Sequence, residues 1–341
     1  MPLGFALRGS AMFLFLAVAG CSPYSPETLL LDYQNRLART LDAKGSATSL
    51  PQSSWTKPRP EQLQIALADL SVDGLDFLSL SGCALQITVG KRNSSLGKLA
   101  PPSQRLLLEL EFLRLAPDCI AQLQVESDNE ALISALEQAT ALKRRQLPAR
   151  IFNAVLAGPE WHAFWQVQSI SEDYPSGNTS SDLLTTIEAL NVSVQRWLNG
   201  NYEADGMLFE ARLNQLRAGD GGTLITAAEL TQRYFLDWRN LMHSSPYWQE
   251  PCDRFYTDKQ TILRTVASRY FAGGVQAWLA PIASRSNSIE LAVGELETTL
   301  KDVMPADYKV WLKQRDVLLG GFKTHPRQHV EDLQRLLQPC D

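Results

Sequence analysis

The groups with chemistry to offer in this 341-residue chain are four histidines, five cysteines and a stretch where arginines alternate with aromatic rings. His325 and His329 stand four apart, the spacing that sets two imidazoles on one helix face and could chelate a metal ion. The segment His325-Pro326-Arg327-Gln328-His329 lacks the glutamate that a zinc-protease helix requires, so both read as residues of a solvated helix. His162, within Trp161-His162-Ala163-Phe164-Trp165, and His243, beside Ser244 and Ser245, could each serve a serine as general base. No Gly-x-Ser-x-Gly turn accompanies them, and partly buried structural histidines are the expectation. Neither a phosphate-cradling glycine loop nor a haem-attachment cysteine pair occurs in the sequence. No cofactor and no metal are expected.

From Tyr234 to Trp278 the aromatics Phe235, Trp238, Tyr247, Trp248, Tyr270 and Phe271 are interleaved with Arg233, Arg239, Arg254, Arg264 and Arg269. Such a mixture could line a cleft for an acyl chain, sugar or peptide, with aromatic walls and guanidinium forks for anions. At helical spacing the rings read instead as core stripes with the arginines on the wet side. Gly273-Gly274 then permits close helix packing or a kink.

Residues 1–20 have the grammar of a signal peptide: one cation, Arg8, then an apolar run from Ala11 to Ala19. That run falls short of the roughly 20 apolar residues a spanning helix needs. It closes on Val18-Ala19-Gly20-Cys21, a lipobox, so Cys21 reads as the lipidated first residue of a mature bacterial lipoprotein, anchored in the membrane by diacylglyceryl and palmitate-type chains. Two or more chains anchor stably where one does not. Ser22 rather than aspartate follows, which fits export to the outer membrane facing the periplasm. Residues 21–26 then form a tether.

In an oxidising compartment the remaining four cysteines allow three connectivities. Cys83 with Cys119 and Cys252 with Cys340 is the favoured one, since each pair joins neighbouring segments. Two disulfides are thus expected, each contributing about 3 to 5 kcal/mol by loop closure. No two cysteines have the close spacing of a structural zinc site. With 45% hydrophobic residues, 20% charged residues and a net charge of -5, the body is globular in composition and lacks the basic surplus of a nucleic-acid-binding protein.

The elements that must position these groups read as helices. Leu30, Tyr33, Leu37 and Leu41 share one face. Helices are also expected over Leu75 to Val89, Ser103 to Leu115 (stopping before Pro117), Ala131 to Leu147 (ending at Pro148) and Asp182 to Leu198. Thr226 with Glu229, and Thr257 with Gln260, have capping-box spacing before apolar runs. Tyr308, Trp311, Arg315 and Leu318 make a face ended by Gly320-Gly321, after which Thr324 or His325 caps a last helix with Pro326 at its first position. Gln62 to Val72 is ambiguous between strand and helix. The expectation is an all-α, bundle-like domain over residues 27–341 with at most one or two short strands. It divides, if at all, into two halves near residues 172–181.

Around the first cysteine pair the chain reads Leu78-Ser79-Leu80-Ser81-Gly82-Cys83-Ala84-Leu85-Gln86, then Arg92-Asn93-Ser94-Ser95-Leu96-Gly97. Ser103-Gln104-Arg105-Leu106 and Glu109-Leu110-Glu111-Phe112-Leu113 lead on to Cys119, and Asp32-Tyr33-Gln34-Asn35-Arg36-Leu37 lies upstream. Together these resemble a family of gammaproteobacterial lipoproteins, domain of unknown function 3080. The resemblance implies an envelope lipoprotein and carries no activity. Asn93-Ser94-Ser95 with Gly97 is a polar turn held near a cystine, and turns on rigid scaffolds can present ligand sites. Arg92, Asn93 and Ser94 are therefore candidate binding residues. The expected role is a non-enzymatic module that binds an envelope protein or an apolar ligand. The competing one is a periplasmic hydrolase of lipid or cell-wall material using His162 or His243.

Overall fold

Apolar residues three and four apart bury one stripe of each segment, and the computed structural model, which describes residues 25–43, 57–68, 80, 82–126, 129–175, 181–252 and 254–339, is built from helices alone among those residues. Helix α1 (Pro26–Thr40) begins where the Ser25 hydroxyl accepts the Thr28 N–H and buries Leu30, Tyr33 and Leu37. The all-α expectation holds, and no strand occurs in the described part of the ambiguous segment. A single turn, α2 (Pro60–Leu63), leads there into extended backbone through Ala68.

Helices α3 (Leu85–Asn93), α4 (Ser95–Leu99), α5 (Pro102–Glu126) and α6 (Glu130–Ala154) form one end of the molecule. There α3 and α6 both pack on α5. The Cys83–Cys119 disulfide lies inside their small apolar cluster, with Leu80, Leu85, Phe112, Ala116 and Leu136. This is the first of the two expected bonds. The second, Cys252 with Cys340, involves position 340, which lies outside the described residues.

The larger cluster is assembled from α7 (Pro159–Phe164), α8 (Ser181–Leu198), α9 (Gly206–Arg217) and α10 (Gly221–Ser244), together with the C-terminal helices. It draws on residues before and after 172–181 alike. Residues 254–300 continue from α11 (Arg254–Thr265) through an 11-residue π-helical stretch, Val266–Gln276, into α12 (Ala277–Leu300). Helix α13 (Ala306–Leu336) returns along α10.

Several helix ends expected at proline or glycine are not ends. Pro117, Pro148 and Pro326 all lie inside helices, and Gly320-Gly321 inside α13. A proline removes one backbone bond and strains one turn, a local loss offset where the apolar stripe continues beyond it. Ala116, Cys119 and Leu123 continue it in α5, Ile151 and Phe152 in α6, and Leu333 and Leu336 in α13. Thr226 is not a cap but an interior residue of α10, its hydroxyl donating to the carbonyls of Gly222 and Gln168. Gln260 likewise is no cap: its amide nitrogen donates to Leu336 O at 3.2 Å and Gln338 O at 3.3 Å. Of the helix expected over 75–89, residues 80 and 82–84 are non-helical, 75–79 and 81 lie outside the described residues, and the helix runs Leu85–Asn93. Helix α9 was not expected, although Asp205 caps it and Phe209, Leu213 and Leu216 share its inner face.

Two buried ion pairs tie this core together. Arg315 of α13 makes a two-pronged contact with Glu297 of α12 at 2.6 and 2.8 Å, and Tyr308 donates to the same carboxylate at 2.8 Å. The guanidinium lies 4.8 Å from the Trp165 ring centre and 5.2 Å from that of Trp311. Arg285 of α12 grips Asp220, at the start of α10, with bonds of 2.7 and 3.0 Å, and Tyr174 completes that site at 2.9 Å.

Breaking such a pair on one side strands a buried charge. Arg315→Met should lower unfolding stability by about 3 to 5 kcal/mol, measured by denaturant titration, whereas Arg315→Met with Glu297→Leu should recover most of the loss. Equal loss in both variants would show that packing, not the stranded carboxylate, sets the cost.

Candidate functional site

The imidazoles are the strongest catalytic candidates in the sequence. His329 faces inward: it is 2% exposed, with Nε2 2.7 Å from the Tyr33 hydroxyl. Trp238, Phe235 and Phe271 surround the ring at centroid distances of 5.3, 5.6 and 4.6 Å. Burial pushes it down to about 3, and Nδ1 is buried without a hydrogen-bond partner. His325, one turn earlier, is only partly buried, and burial lowers it too. The expected solvated pair is thus a core histidine and a half-covered neighbour. Among the described residues no group of three or more His, Cys, Asp or Glu side chains could hold a metal ion.

His243 stacks on Trp248 at 4.0 Å and stands 3.6 Å from Asp332. The serines beside it are engaged with the backbone: Ser244 donates to Leu241 O and Ser245 to Leu41 O, at 3.0 and 2.8 Å. His162 is lowered by burial and then by the charge of Lys57, whose ammonium donates to the His162 carbonyl. The rings at the centre of the aromatic stretch form core, with Trp238 and Phe235 buried. Arg36 of α1 lies 3.7 Å from the Tyr270 ring centre on the π-helical stretch, and Gly274 of that stretch comes so close to α1 that a Cβ there would stand 3.3 Å from Leu29.

Arg92 leads to a different place. At the end of α3 its guanidinium stands 3.3 Å from the carboxylate of Glu109, a residue of α5 that is 1% exposed. From α6, Lys143 bonds the other carboxylate oxygen and Arg150 approaches at 3.4 Å. Three cations thus converge on one buried carboxylate at the junction of α3, α5 and α6. Beside it opens a cavity of about 430 Å³, lined by Arg92, Arg105, Arg150, Gln64 and Asn153 with apolar walls from Ile65, Leu67, Pro102 and Leu106. Asn153 fixes the far wall: its amide accepts the Ile65 N–H at 2.8 Å and donates to Ile65 O at 2.9 Å. Gln64 donates to Asn153 O and Ala157 O, so the extended stretch after α2 is latched onto α6.

Of the three candidate binding residues, only Arg92 reaches this cavity. Asn93 is exposed, and Ser94 is a connector: its hydroxyl accepts the Gly97 N–H at 3.0 Å and donates to Lys91 O at 2.7 Å. Gly97 is required there, because a Cβ would stand 2.1 Å from Lys91 O. The turn positions Arg92 rather than presenting a ligand site. Arg105 and Arg150 were missed because nothing local marks an arginine on an amphipathic helix as facing a cavity.

The family model described as protein of unknown function (DUF3080) matches residues 30–341, and the chain belongs to that family. No curated protein and no solved structure matches it. No helix among the described residues is long and apolar enough to cross a membrane.

The buried histidine makes a test in pH. Its folded value of about 3 lies below its ordinary 6.5, so the unfolded chain binds the extra proton between those values. The stabilisation is complete above pH 6.5 and is lost as pH falls towards 3, by roughly 5 kcal/mol in all at about 1.4 kcal/mol per pH unit. Denaturant titrations from pH 7 down to pH 4 should show this slope, and Tyr33→Phe with His329→Phe should flatten it. An unchanged slope in the double variant would place the dependence elsewhere.

Proposed function

We propose that this DUF3080 protein is a cell-envelope lipoprotein whose helical body acts as a non-enzymatic binding module. The observation that carries the binding role is the lining of the arginine cavity. It offers guanidiniums, amides and apolar walls, and among its described residues no histidine, carboxylate, hydroxyl, thiol or amine that could act as nucleophile or proton-transfer group. Such a lining suits holding a ligand rather than converting one. The fully buried ion pairs at Glu297 and Asp220 lie apart from it in the core and knit helices together.

The address rests on the leader and the disulfide. Val18-Ala19-Gly20-Cys21 ends an apolar run of signal-peptide length, and the Cys83–Cys119 bond suits an oxidising compartment. Cys252 with Cys340 would be the second bond of the same oxidised protein. With lipid on Cys21, the five residue steps to Pro26 reach at most roughly 17 Å at about 3.5 Å each, so α1 and the body behind it lie close against the membrane. Ser22 after the anchor sends the protein to the outer membrane, facing the periplasm.

Labelling with a palmitate analogue tests the anchor. The wild-type chain should take up label and sediment with outer-membrane fractions, while Cys21→Ser should take up none and be released from the membrane. Equal labelling of both, or an unmodified Cys21 thiol in the purified mature protein, would overturn the address. It would leave the ligand cavity untouched.

A further inference from the structure

The arginine cavity has a chemistry more specific than positive charge. Elsewhere in this chain a carboxylate in the core takes one arginine in a two-pronged contact, as Glu297 takes Arg315 and Asp220 takes Arg285. That pairing uses up both oxygens of the acid. Here three guanidiniums, from α3, α5 and α6, line one space of about 430 Å³, with no carboxylate among its described lining residues. Among the described residues the acid beside them is Glu109, which accepts from Arg92 and Lys143 and stands 3.4 Å from Arg150.

Two of the arginines also keep donors in reserve. Arg150 is 9% exposed and uses its terminal nitrogens on Glu109 and on Gln146 Oε1, at 2.9 Å for the latter. Its Nε is buried with no partner. Arg105 spends one terminal nitrogen on Lys98 O, the backbone of α4, and its Nε too is buried with no partner. A guanidinium N–H left dry and unpaired costs free energy, and an anion with several oxygens set in a tetrahedron offers acceptors to more than one guanidinium. Phosphate groups meet that description, and planar guanidinium forks are the side chains that recognise them best.

We propose that this cavity binds a phosphate-class anion, most simply a phosphomonoester, with the phosphoryl oxygens taken by Arg105 and Arg150 beside Arg92. The apolar wall of Ile65, Leu67, Pro102 and Leu106 receives the group that carries the phosphate. This rests on reading the body as a binding module and names what that module takes. The phosphate belongs either to a soluble ligand or to a lipid headgroup. Leu96 and Leu99 of α4, 85% and 84% exposed, lie on the short helix to which Arg105 is bonded.

The test uses the mature protein with inorganic phosphate, a soluble phosphomonoester such as glycerol 3-phosphate, and vesicles of phosphatidylcholine with or without phosphatidic acid. Calorimetry and thermal shift should show saturable binding of phosphate and tighter binding of the monoester. Arg105→Gln should weaken both at least tenfold, the scale of one charge-assisted bond. Arg150→Lys should do the same, and because Arg150 also supports Glu109, Arg105→Gln is the deciding variant if that one fails to fold. Binding to phosphatidic acid vesicles alone, lost in Arg105→Gln and in Leu96→Ser with Leu99→Ser, assigns the phosphate to a lipid. Binding of the soluble monoester, indifferent to the leucines, assigns it to a free ligand. No saturable binding of any of these probes, or binding that Arg105→Gln leaves unchanged, overturns the proposal. The reading of the body as a binding module for some other partner would survive that result, and capture of a specific envelope partner by native cross-linking would tell the two failures apart.

Discussion

Burying a carboxylate between helices is permissible only if a cation is buried with it in fixed geometry, and this fold obeys that constraint at three places. Glu297 joins α12 to α13 through Arg315, Asp220 joins α10 to α12 through Arg285, and Glu109 collects cations from α3 and α6. Apolar stripes alone would let long helices slide by a turn at little cost, since one leucine packs much like another. A two-pronged arginine contact does not slide: displaced by a turn, it leaves both charges dry and unmatched. Hydrophobic burial draws the helices together, and the ion pairs fix where along their length they stop.

The three sites differ in what lies beside them. At Glu297 and Asp220 one arginine and one tyrosine use up the acid, and the residues are closed into the core. Glu109 takes three cations, and two of them, Arg92 and Arg150, also border a cavity. Arg315 also reaches Asp316 at the edge of the core, at 2.8 Å, so the Glu297 site is closed on every side, whereas the Glu109 site borders open space.

Much of the fold was legible because helical periodicity is a local signal. The stripe of Leu30, Tyr33 and Leu37 could be read directly and is buried as expected, and the helix expected over Asp182 to Leu198 buries Leu183, Ile187, Leu190 and Val194. Helix ends were less legible, because Pro117, Pro148, Pro326 and Gly320-Gly321 are local stop signals overruled by distant packing. The site was half legible. Arg92 stood out through its neighbouring turn, but its partner Glu109, and Arg105 and Arg150 across the cavity, are ordinary members of amphipathic helices whose meaning arises only when three helices converge. His329 shows the same limit. Its four-residue spacing from His325 suggested a shared exposed face, and only the contact with Tyr33, 296 positions away, accounts for its burial.

The π-helical stretch Val266–Gln276 has a bearing on how this chain can vary. Upstream of it Gln260 is fastened to the end of α13, and downstream Arg285 is fastened to Asp220. A π-helical turn holds more residues than an α-helical one, so a one-residue deletion between them can be taken up by tightening to α-helix, with Arg285 and Glu297 still facing their acid and base. The widened coil therefore works as slack in a helix clamped at both ends: a change of length there alters its pitch before it disturbs the ion pairs beyond.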